Sequence, residues 1–81
     1  MDRTETLQRI AATRLRMAKL VNDLRRSVNI LTENIELNEA QTGVRDLKSC
    51  AYPVMARSLR ARRDNLRATI ASLEGQLSEA A

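Results

Sequence analysis

The side chains that do most chemistry are thinly represented in this sequence. Histidine, the usual general base near neutral pH, does not occur. Cys50 is the only cysteine, and its basic neighbours Arg45 and Lys48 are poor substitutes for the imidazole that activates a thiol. Glu33, Glu36 and Glu39 recur every three residues, on a slowly rotating helix face, but carboxylate metal sites in helix bundles draw on histidine as well. There is no glycine-rich phosphate loop. The reading is therefore no catalytic residue, no cofactor, no metal and no small-molecule substrate.

Charge offers a second kind of chemistry. Arg57, Arg60, Arg62, Arg63 and Arg67 fall within eleven residues and could neutralise phosphates along a groove. Of these, Arg57, Arg60, Arg62 and Arg67 are the candidate nucleic-acid contacts. In helical projection they wrap around the helix, no aromatic residues interleave to stack bases, and no helix-turn-helix or zinc pattern is present. Pairing of some of them with nearby acids is the competing expectation. A basic amphipathic helix can also lie on a membrane, but the aromatic residues that favour this are missing: Tyr52 is the only aromatic. No apolar run approaches the length of a membrane span, so no membrane partner is expected.

The elements that must carry these residues follow from periodicity. The chain has 81 residues, 43% of them hydrophobic, with two glycines and one proline. That composition suits one domain, residues 1–81, with a core of aliphatic residues and little capacity for β turns. Helix 1 is predicted over about residues 2–41, opened by Asp2 and Glu5 at the spacing of a capping box. Its seam alternates steps of three and four through Leu7, Ile10, Arg14, Met17, Val21, Leu24, Val28, Leu31, Ile35 and Asn38. Gly43 is a helix stop. Helix 2 is predicted from about Pro53 to Ser78, with a seam of Tyr52, Ala56, Leu59, Arg63, Leu66, Ile70, Leu73 and Leu77. The connection, about residues 42–52, reads as either a loop or a further piece of helix. A single helix kinked at Pro53 would cost ~3 kcal/mol.

Orientation follows from charge. The acidic end of helix 1 and the basic start of helix 2 meet if the chain folds back on itself, whereas a parallel dimer would stack like on like. The expected fold is all-α: an antiparallel, coiled-coil-like two-helix hairpin. One seam is a small core for a chain with no disulfide, so the hairpin is expected to dimerise into a four-helix bundle or to join another helical protein. Leu20, Ile30 and Leu37 lie off the main seam, which widens the apolar stripe beyond what one neighbour covers. Helix 1 also exceeds helix 2 by about a dozen residues, ~18 Å, so Leu7 and Ile10 should project past its end or fray. The candidate dimer or partner interface is accordingly Leu7, Ile10, Met17, Leu20, Val21 and Leu24, continuing through Val28, Ile30, Leu31, Ile35 and Leu37. Arg14 and Arg63 are expected to extend their guanidinium groups out of the seam, with Glu33 or Glu36 as a partner for Arg63. Tyr52 is expected to plug the loop end of the hairpin. The lone cysteine and the charged start Met-Asp-Arg-Thr-Glu, with no apolar segment, lead to the expectation of a cytoplasmic protein without a signal peptide. The functional expectation is a non-enzymatic protein–protein interaction module, adaptor-like or chaperone-like. The alternative is a nucleic-acid-binding helical dimer.

Overall fold

A computed structural model of the chain describes residues 3–79. Asp2, the first half of the expected capping box, lies outside the described residues. The chain forms two long helices and no strands among the described residues, the all-α hairpin read from the periodicity. α1 spans Arg3–Thr42 and α2 spans Val54–Glu79.

α1 runs for 40 residues without glycine or proline. It ends where Gly43 takes a left-handed backbone angle, φ 72°, a region costly for residues with a Cβ. The Gly43 N–H donates to the Glu39 carbonyl at 2.8 Å, and the Thr42 hydroxyl reaches the carbonyls of Asn38 and Glu39, both at 3.2 Å. The bonds to Glu39 satisfy a carbonyl that the helix end would leave unpaired.

The connection contains turns and no further helix. Side chains hold it. The Asp46 carboxylate accepts from the Lys48 N–H at 3.0 Å, and the Ser49 hydroxyl oxygen accepts from the Ala51 N–H at 3.1 Å. Such local bonds let Asp and Ser stabilise tight turns in place of a helix. Pro53 then opens α2, its carbonyl accepting the Arg57 N–H at 3.1 Å.

The helices lie side by side and antiparallel. Near the loop Glu39 meets Arg60; far from it Arg25 meets Glu74. Val21, Val28 and Ile70 form a buried cluster, with Leu24, Leu66, Leu73 and Leu77 packed against it. Towards the loop Leu31, Ile35, Tyr52 and Ala56 are buried. Each comes from the seam that the three-four spacing marks.

The molecule measures 62 × 17 × 15 Å, and its long dimension is that of α1 alone, ~60 Å at 1.5 Å per residue. α2, with 26 residues, is shorter by ~21 Å. The first turns of α1 therefore stand clear of α2. Leu7 and Ile10 are 61% and 50% exposed although they continue the seam.

Candidate functional site

Among the described residues the candidate sites are open surfaces. They are built from what the hairpin seam leaves over.

The seam itself is occupied. Val21, Val28, Leu31 and Ile35 were assigned by periodicity to a dimer or partner interface; in the folded chain α2 covers them. The seam of α1 is thus filled from within the chain. The reason is chain connectivity: the loop presents α2 to α1 at far higher local concentration than any second molecule reaches. Leu24 and Met17 are half-buried, Leu24 against the same cluster.

Beside the loop, a polar group seals one flank of the hairpin. Glu39 is a buried carboxylate, 5% exposed, beside buried Tyr52. The Tyr52 hydroxyl donates to Glu39 Oε2 at 2.9 Å and accepts from Arg60 Nε at 2.7 Å. Arg60 Nη2 closes the triangle to Glu39 Oε2 at 2.9 Å, and Arg45 approaches Oε1 at 3.8 Å. A buried carboxylate without such partners would be strongly destabilising. The Arg60 guanidinium and then the Tyr52 hydroxyl hold the Glu39 carboxyl below its ordinary range, against the opposing effect of burial. Arg57 completes the closure: its guanidinium lies over the Tyr52 ring, 5.4 Å from the centroid, and donates to the Leu47 carbonyl at 3.0 Å.

This arrangement redistributes the arginine-rich start of α2. Arg60 is an internal partner of Glu39, and Arg57 is engaged with the loop; a phosphate would have to compete for both. Arg62 and Arg67 are exposed. Arg63 is half-buried in the seam and donates to the Thr32 hydroxyl at 3.3 Å, not to Glu33 or Glu36, while its Nε is buried without a hydrogen-bond partner. Glu33 and Glu36 are exposed whereas Glu39 turns inward, so the three carboxylates do not converge. Cys50 is exposed on the loop. No helix among the described residues is long and apolar enough to cross a membrane.

The two flanks of the hairpin differ. On one, Glu39–Arg60 and Arg25–Glu74 tie the helices together at both ends. On the other, α1 presents Leu20, Asp23, Ser27, Ile30, Asn34 and Leu37. A shallow groove between the helices is lined there by Ser27, Ile30, Leu31, Arg62 and Leu66. Seven-residue steps from Arg62 place Met55, Thr69 and Gln76 on this flank too. Leu20 is 46% exposed, Ile30 52%, Leu37 56% and Met55 61%. Large apolar side chains thus gather on a face where, of the positions named, Asp23 and Arg62 carry charge. Met55 was not singled out from the sequence. The seven-residue spacing from Arg62 would have found it once the side of the seam was known.

The protruding start of α1 is the remaining surface. It carries Leu7 and Ile10, with half-buried Met17 at its base and a shallow groove lined by Arg9, Ile10, Thr13, Arg14 and Met17. No protein-family model, no curated protein and no solved structure matches this chain.

Proposed function

We propose that this chain is a non-enzymatic helical interaction module that associates with a second copy of itself through the weakly charged flank, forming a four-helix bundle. The observation that carries this reading is the stripe Leu20, Ile30 and Leu37, exposed beside a seam that is already filled. A monomer gains nothing from holding these side chains in water, and their alignment on one flank gives a second helix pair somewhere to pack.

A second copy is the occupant that the pattern supports. Along the flank the residues Leu20, Asp23, Ser27, Ile30, Asn34 and Leu37 are separated by steps of three, four, three, four and three. The spacing reads the same in either direction. An antiparallel, twofold-related α1 therefore places Leu20 against the partner's Leu37, Ser27 against the partner's Ile30 and Asp23 against the partner's Asn34. Apolar ends meet apolar ends and no like charges are opposed, as a self-complementary interface requires.

The test is sedimentation equilibrium over a range of concentrations, with circular dichroism on the same samples. The wild-type chain should sediment as a dimer. Ile30→Lys and Leu37→Lys should sediment as monomers with helicity retained. A wild-type monomer at every concentration, or dimers of undiminished stability in both variants, would refute the reading. The nucleic-acid reading has less support, because Arg57 and Arg60 are engaged within the hairpin and Arg62 and Arg67 sit on opposite sides of the seam. Retardation of a labelled duplex that weakens steeply with salt would restore it.

A further inference from the structure

We propose that the protruding start of α1, residues 3–17, is a seat for an acidic amphipathic helix of a different protein. The proposal extends the reading of the chain as an interaction module and assigns a second surface to it.

The seat continues the seam of the hairpin past the end of α2. Leu7, Ile10 and Met17 hold the positions that α2 covers farther along, and Leu7 and Ile10 are at least half exposed. The residues that border this part of the seam are small: Thr6 and Thr13 on one side, Ala11 and Ala18 on the other. A helix can therefore approach as closely as α2 approaches the rest of α1, running on from the end of α2. The groove along Ile10, Thr13 and Met17 marks where its side chains would enter.

Charge selects the occupant. Residues 1–19 contain five basic and two acidic side chains, so three of the four net positive charges of the chain lie on about a quarter of its length. Arg14 stands in the seam itself, and Arg9 and Arg16 flank it. Two copies paired seat to seat would set these cations against each other, which disfavours that form of self-pairing. A helix with leucines on its seam and carboxylates beside them satisfies both features together. Nucleic acid or an anionic lipid surface would answer the charge but leave Leu7 and Ile10 without a purpose.

The experiment is fluorescence anisotropy with the full chain and a labelled peptide of three heptads, carrying leucine at both seam positions and glutamate at the flanking positions. The comparison peptide carries lysine in place of glutamate. The glutamate peptide should bind at least about tenfold more tightly than the lysine peptide. Ile10→Asp and Arg14→Glu should each weaken it by at least about tenfold, whereas Ala61→Lys, at an exposed position of α2 outside both surfaces, should leave it unchanged. Ile10 lies beyond α2 and Arg14 lines a groove shared with Leu77 of α2, so circular dichroism verifies that the hairpin persists in each variant; the peptide pair tests the unaltered chain in any case. Absence of binding, equal binding of the two peptides, or binding indifferent to Ile10→Asp overturns the proposal. So does attachment to duplex DNA, or to vesicles of equal parts phosphatidylcholine and phosphatidylserine, that matches the peptide and survives Ile10→Asp. Failure of self-association shows in sedimentation of the wild type, and failure of the seat in peptide binding, so the two are separable.

Discussion

Substituting Ile35 by alanine should remove most of the stability of the isolated hairpin. Ile35 is 1% exposed, the most completely buried large side chain of the described residues. The change deletes three carbon groups; at ~0.8 kcal/mol for each one buried, the transfer contribution is ~2.4 kcal/mol. A cavity that the rigid seam cannot close raises the cost into the range of about 2–5 kcal/mol. A single-seam scaffold of this size holds only about 3–5 kcal/mol in all. Ile30, five residues away, is 52% exposed and faces the flank. Its replacement by alanine forfeits roughly half the transfer contribution, ~1 kcal/mol, and leaves no enclosed void. Urea unfolding followed by helical circular dichroism at low protein concentration measures both, with the slope checking that each remains two-state. As the concentration rises, the cost of Ile30→Ala should grow, because the association it weakens adds to stability by mass action; that of Ile35→Ala should change little. Equal costs for the two variants at low concentration, or a loss below about 1 kcal/mol at Ile35, would refute the assignment of seam and flank.

Other perturbations test the loop end and the helices. The Glu39 carboxyl titrates below its ordinary value of 4.5, so its contribution is present above that value and is lost as pH falls through the native one. The melting temperature of the wild type should therefore fall more steeply than that of Glu39→Gln as the pH drops below 4.5. Arg60→Ala should lower the melting temperature clearly, since it leaves Glu39 buried without its strongest partner, whereas Arg62→Ala should stay within about 0.5 kcal/mol of wild type in the monomer. The two glycines should respond with opposite signs although neither has an atom within 4 Å of an added Cβ. Gly43→Ala forces a left-handed alanine and should cost about 1–2 kcal/mol, while Gly75→Ala, within α2, should add about 0.5–1 kcal/mol; urea midpoints read both.

The helices, their antiparallel pairing and the identity of the seam were legible from order along the chain. Apolar spacing of three and four is a local property, and so are a glycine stop and a proline start. The length mismatch, and with it the exposure of Leu7 and Ile10, followed from the same count. The loop was less legible, because Asp46 and Ser49 favour turns only weakly against a helix until Tyr52 is anchored. Its burial beneath Arg57 and against Glu39 matches the expected plug, but the polar triangle it joins was not foreseen. Glu39 was one of three evenly spaced acids, and which of them turns inward depends on the side of the seam where Arg60 arrives. That side is decided by how the helices rotate against each other as the loop closes. The same rotation divides the surface into a flank tied by ion pairs and a flank left apolar. One helix taken alone cannot encode that division, since a side chain is buried only by what a distant part of the chain brings beside it.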